Sequence, residues 1–147
     1  MKLEFINGSI QSVVEYLPKL QLKGRENRAR QKLLKKATEK FQEFYSDIQE
    51  IKSEHPDDSE KQNAELDTLL KEEITLDMTE YAHLMHPLYD ALLDYPHEID
   101  TEKEPGKPSD SAVHDYLVDV LEAEVEEVEK QAEIGEAVED AQYQEVE

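Results

Sequence analysis

Residues 25–54 read RENRARQKLLKKATEKFQEFYSDIQEIKSE, a stretch without proline or glycine. Within it Leu34, Ala37, Phe41, Phe44, Ile48 and Ile51 recur at alternating spacings of three and four. On an α-helix that recurrence gathers the apolar side chains into one heptad seam, which Leu33 and Tyr45 widen. A seam has to be covered by another helix, from the same chain or from a second copy. The stretch therefore predicts a mainly α fold, a helical bundle.

Charge changes sign along the same helix. Its first half is basic, and its second half carries Glu43, Asp47, Glu50 and Glu54. The helix macrodipole favours the reverse order, so something other than local helix stability sets this arrangement. Residues 19–40 hold nine Lys and Arg against two acids, a net of +7. The other 125 residues hold seven against thirty-five, a net of −28, which together give −21. Such a field governs solubility, partner choice and encounter rate rather than fold. It points to an interaction protein whose docking surface is the basic patch Arg25, Arg28, Arg30, Lys32, Lys35 and Lys36.

Toward the N-terminus, Lys2–Ile6 alternates, with Leu3 and Phe5 on one side, and reads as a short strand. Asn7-Gly8 is a turn signal, since both residues tolerate positive φ, and Ser9 can cap a following helix. Ile10, Val13, Val14 and Leu17 give that helix an apolar stripe, which Pro18 stops or kinks. A second helix entry lies near Gly24.

Toward the C-terminus, residues 55–59 (HPDDS) form a break, and a shorter helix follows over about 59–73, with Leu66, Leu69 and Leu70. Residues 74–78 (ITLDM) alternate and are predicted to pair antiparallel with Lys2–Ile6, giving a small two-stranded sheet. Thr79 can cap a helical stretch from Glu80. The densest apolar run, Tyr81 to Leu93, contains Pro87, which is expected to divide it into two pieces. Residues 96–110 read as a polar linker. Ser109 or Asp110 can cap a last helix, whose buried face is marked by Val113, Tyr116, Leu117, Val120, Leu121, Val125 and Val128. From Glu122 onward there are eleven acids and one base. This predicts one mostly helical domain over 1–130, with an acidic tail over 131–147 that frays or lacks order. The long helix is expected to cover its seam with the Ile10–Leu17 helix, the Tyr81–Leu93 region and the Val113–Val128 helix.

Several segments resemble a family of small proteins of unassigned activity encoded by phages and prophages of Gram-positive bacteria, near tail-fibre and lysis genes. They are Lys2-Leu3-Glu4-Phe5-Ile6-Asn7-Gly8, Leu20-Gln21-Leu22-Lys23-Gly24, Asn27-Arg28-Ala29-Arg30 with Lys32-Leu33, Glu72-Glu73-Ile74, and Tyr116-Leu117 with Leu121-Glu122. The likeness runs over about residues 1–125 in element order. The middle linker and the acidic tail depart from it. The resemblance implies a phage accessory or virion-associated protein made in the bacterial host cytoplasm.

Other chemistries find less support. The chain has no cysteine, which excludes disulfides and thiol chemistry. Its opening residues lack the apolar core of a signal peptide, and no apolar run approaches bilayer length, so no membrane partner is expected. Glu80, His83 and His86 have helical spacing for a zinc ion, but Pro87 disturbs it, so no metal and no cofactor is expected. No nucleophile, phosphate loop or carboxylate pocket is legible, so the chain reads as non-enzymatic. Direct nucleic-acid binding by the basic patch is disfavoured, because no aromatic side chain lies among its cations and the anionic body repels nucleic acid. A protein partner, from phage or host or as a second copy of this chain, is the expectation. The alternative is that the acids imitate the phosphates of DNA and inhibit a host nuclease, restriction or CRISPR system.

Overall fold

A computed structural model describes residues 1–95 and 108–145, with side chains of the last helix described as far as Glu127. Strand β1 (Lys2–Ile6) pairs antiparallel with β2 (Glu73–Asp77), from Lys2 opposite Asp77 to Ile6 opposite Glu73. The Met78 N–H donates to the Met1 carbonyl at 2.8 Å and carries the pairing one bond further. Alternation sends Leu3, Phe5 and Leu76 into the core and leaves Lys2, Glu4 and Thr75 outside.

The expected Asn7-Gly8 turn is absent. Helix α1 (Asn7–Tyr16) starts directly at Asn7, and among the described residues only Gly24 has positive φ. The reason is long-range. The Asn7 N–H donates to the Glu72 carbonyl at 3.0 Å, and its side-chain amide donates to the Leu69 carbonyl at 3.1 Å. Asn7 thereby ties the start of α1 to the C-terminal end of α3 (Ser59–Lys71), where the Leu69 carbonyl also accepts from the Glu72 N–H at 3.2 Å. Ser9 does not cap α1 as expected. Its hydroxyl donates to the Ile6 carbonyl at 2.8 Å instead of accepting from the helix N–H groups. Gly8 serves close approach, because a Cβ there would stand 3.1 Å from the Leu70 carbonyl oxygen.

A 3-10 turn, Leu17–Lys19, follows at Pro18, and α2 (Gly24–Glu54) opens at Gly24 with φ +59°. The seam of α2 lies inside this chain. Ala37 and Phe44 are buried, and Leu34, Phe41, Ile48 and Ile51 are half-buried against the same core. The deepest line in the first half, however, runs through Ala29, Leu33 and Ala37 rather than Leu34, while Tyr45 is 55% exposed. A straight helix drifts relative to a strict seven-residue repeat, and the two small alanines let α1 and α4 approach closely.

Asp58 caps α3, accepting from the Lys61 N–H at 3.1 Å. Helix α4 (Ala82–Leu93) follows a 3-10 turn at Thr79–Tyr81 and runs unbroken through Pro87, contrary to the expected division. An internal proline costs a helix about 3 kcal/mol. The burial of Leu84, Met85, Leu88 and Leu92 along one face outweighs that, since each buried side chain contributes about 1.5–3 kcal/mol. Ser109 caps α5 (Asp110–Glu145), accepting from the Ala112 N–H at 3.2 Å.

Val113, Leu117, Leu121 and Val125 bury one face of α5. That face packs on α1, α4 and β1 rather than on the seam of α2, which is covered by α1, α3, α4 and β2. Of the expected linker over 96–110, residues 96–107 lie outside the described residues, and Asp110 already opens α5. The acidic segment from residue 131 continues α5, whose backbone is helical through Glu145, past Gly135. The side chain of Val128 and residues 146–147 lie outside the described residues. The fold is thus mainly α with a two-stranded antiparallel sheet. No helix among the described residues is long and apolar enough to cross a membrane.

Candidate functional site

The cations of α2 divide into three kinds. Arg30 is half-buried and structural. One guanidinium nitrogen reaches the carbonyls of Leu17 (3.5 Å), Pro18 (3.4 Å) and Leu20 (3.3 Å), and the other donates to the Asn27 side-chain oxygen. These carbonyls belong to the chain leaving α1 around Pro18, where the Leu17 carbonyl also accepts from the Leu20 N–H at 3.3 Å. The Arg30 Nε is buried without a partner among the described residues. Arg30 is therefore removed from the docking patch that the sequence suggests.

Lys32 is the second kind. It is exposed, but its ammonium stands 5.2 Å from the centre of the Tyr81 ring, a cation–π contact between α2 and the turn leading into α4. Arg25, Arg28, Lys35 and Lys36 are the third kind. None has a carboxylate within 4.0 Å among the described residues. Their spacings place them on neighbouring turns of one stripe, continuous with Lys32. At either end of the segment, Lys19 pairs with Asp110 at 3.0 Å and Lys40 with Glu43 at 3.5 Å.

Arg25 also lines an open cleft of about 700 Å³, together with Met1, His83, His86, Asp90 and Asp94. His83 and His86 are exposed, and His86 Nε2 lies 3.6 Å from an Asp90 carboxylate oxygen. The zinc trio that the sequence allows, Glu80, His83 and His86, does not converge. Among the described residues, three metal-ligating side chains come within 4.8 Å of one another only at Glu54, His55 and Glu65.

Acids cover the opposite character. Asp115, Asp119, Glu126 and Glu127 are exposed on α5. Asp77 is also exposed. Its carboxylate accepts from the Thr79 hydroxyl at 2.6 Å and the Thr79 N–H at 3.0 Å. Those donors, chiefly the hydroxyl, hold its pKa below the usual carboxylate range, with smaller help from Lys2 and the N-terminal amine.

One buried polar group escapes the sequence reading. His114, 2% exposed, joins the Tyr16 hydroxyl and the Leu92 carbonyl in the core. A signal for it existed: His114 lies three residues before Leu117 and seven before Leu121, on the apolar stripe of α5. Comparison of the chain with protein-family models, with curated proteins and with solved structures finds no match in any of the three.

Proposed function

We propose that this chain is a non-enzymatic phage accessory protein that acts by protein–protein contact. Its place is the assembly of the tail or baseplate region, or the virion itself, after synthesis in the bacterial host cytoplasm. The observation that carries the contact reading is the stripe Arg25, Arg28, Lys35 and Lys36, which has no described carboxylate within 4.0 Å in a chain of net charge −21. Four cations without a described carboxylate partner on so anionic a body, three of them exposed and Lys36 half-buried, would steer an acidic partner to one face. The phage setting rests on the resemblance of Lys2–Gly8, Leu20–Gly24 and the α2 and α5 segments to the phage family. The heptad seam packs largely against its own chain, so the stripe serves as the docking surface, and the exposed acids of α5 on a second copy are opposite to it in sign.

Light scattering at low salt and at about 1 M salt tests this, since screening weakens exposed ion pairs. The expected result is an oligomer that dissociates as salt rises and is abolished by Arg28→Glu with Lys35→Glu. A monomer at both salts would remove the second copy as partner.

A second reading draws support from the backbone of α5, which stays helical through Glu145. Carboxylates on a continuous helix can imitate a run of phosphates and fill the DNA groove of a host defence enzyme. Under that reading, neutralising Glu122, Glu126 and Glu129 abolishes inhibition of such an enzyme, and Arg28→Ala leaves it intact.

A further inference from the structure

We infer that the corner between α2 and α3 is a binding site for a divalent transition-metal ion of the zinc class, held by Glu54, His55 and Glu65. The inference is independent of the phage reading. Glu54 is the last residue of α2, His55 follows it, and Glu65 comes from the middle of α3, so the three ligands span two elements. Their ligating atoms lie within 4.8 Å of one another. His55 Nε2 is aimed at Glu65 Oε1, at 3.0 Å.

The backbone at the corner is held in place before any ion arrives. The His55 N–H donates to the Ile51 carbonyl at 3.3 Å, and the His55 carbonyl accepts from the Asp58 N–H at 3.3 Å and from the Gln62 side-chain amide. Gln62 also donates to the Lys52 carbonyl at 3.5 Å, and the Asp58 carboxylate caps α3 through the Lys61 N–H. The imidazole is half-buried, while both glutamates are exposed and can swing. Binding exchanges the His55–Glu65 hydrogen bond for bonds to the ion, on a backbone already held in place.

The donor set selects the ion. One imidazole nitrogen and two carboxylates suit Zn²⁺, which takes nitrogen and oxygen ligands at about 2.0–2.2 Å in tetrahedral geometry. Ligand atoms around such an ion stand about 3.4 Å apart, so on binding the outermost pair closes by at most about 1.4 Å while the His55–Glu65 pair opens slightly. The remaining position is left to water. Ca²⁺ and Mg²⁺ require six or more oxygen neighbours and gain nothing from an imidazole. A bound ion would clip the end of α2 to α3 across the 55–58 break.

The experiment is calorimetric titration of the full, untagged chain with ZnCl₂ in neutral buffer containing millimolar MgCl₂ to occupy diffuse acidic sites. One saturable equivalent is expected, together with a rise in melting temperature, because the ion binds the folded chain. His55→Ala and Glu65→Gln should each weaken binding by about tenfold or more. His83→Ala with His86→Ala should bind as the parent does. Glu65→Gln keeps the side-chain shape, so its loss of binding does not depend on a folding defect. The absence of a saturable site up to about 1 mM Zn²⁺ would overturn the assignment. So would binding unchanged in both His55→Ala and Glu65→Gln, or binding lost in the His83 and His86 pair.

Discussion

The Tyr16 hydroxyl lies 2.7 Å from His114 Nδ1, and His114 Nε2 lies 2.8 Å from the Leu92 carbonyl, so one buried ring ties α5 to α1 and α4. A carbonyl only accepts, so Nε2 carries a hydrogen, and Nδ1 shares a second hydrogen bond with the Tyr16 hydroxyl. Tyr16→Phe removes that hydroxyl from the core. An unsatisfied buried polar atom costs about 1–3 kcal/mol, and a loss of that size is expected in chemical denaturation. A change within about 0.3 kcal/mol would mean that water or another group replaces the hydroxyl.

Arg30 and Arg28 are two residues apart in sequence and do different work. Arg30→Ala leaves three carbonyls at the end of α1 without their guanidinium, and should cost about 1.5–3 kcal/mol, the range for hydrogen bonds to a charged group. Arg28→Ala touches no described partner and should stay within about 0.5 kcal/mol. Equal losses in thermal melts of the two variants would contradict the assignment of Arg30 to structure and Arg28 to the docking stripe.

Gly8 tests the close contact between α1 and α3. Alanine in place of glycine within a helix ordinarily gains about 0.5–1 kcal/mol. Here the new methyl meets backbone, the Leu70 carbonyl oxygen at 3.1 Å, which gives way less readily than a side-chain tip. Gly8→Ala is expected to show no gain. Gly8→Val, with two more carbons at the same place, should lose about 1–3 kcal/mol, as overpacking does. A Gly8→Ala protein more stable than the parent would show that α3 retreats freely.

Asp77 sets an acid-side dependence. Its folded pKa is depressed below the unfolded value, so the carboxylate contributes stability above pH about 4 and loses that contribution as pH falls through the folded pKa. Asp77→Asn should therefore lower the melting temperature at pH 7 and by less near pH 2, as the parent carboxyl takes up its proton. An equal decrement at both pH values would assign the effect to shape rather than charge.

Much of the architecture was legible because it is written in periodicity. Alternation at Lys2–Ile6 and in the ITLDM segment, and the three-four recurrence from Leu34 to Ile51, reappear as β1, β2 and α2. Errors arose where a local signal met a distant partner. Asn7-Gly8 has the chemistry of a turn, but the Leu69 and Glu72 carbonyls at the end of α3 hold Asn7, and the pair becomes a helix start. Pro87 has the chemistry of a break, but four buried side chains hold α4 through it. The site was half visible. The cations could be counted in the sequence, but which of them the fold consumes could not, because Arg30 finds its carbonyls ten to thirteen residues away. Glu54, His55 and Glu65 come together only after the chain has turned at residues 55–58.

The pairing of β1 with β2 has a kinetic consequence. Its partners stand 67 to 75 residues apart in sequence, whereas α2 and α3 are neighbours joined by a short break. Closing so long a loop is slow relative to forming local helices. On the ribosome, β1 emerges well ahead of β2 and waits, with Leu3 and Phe5 uncovered, until residue 77 has been made. A strand made early is thus completed late, and the nascent protein is most open to aggregation, or to a chaperone, in that interval.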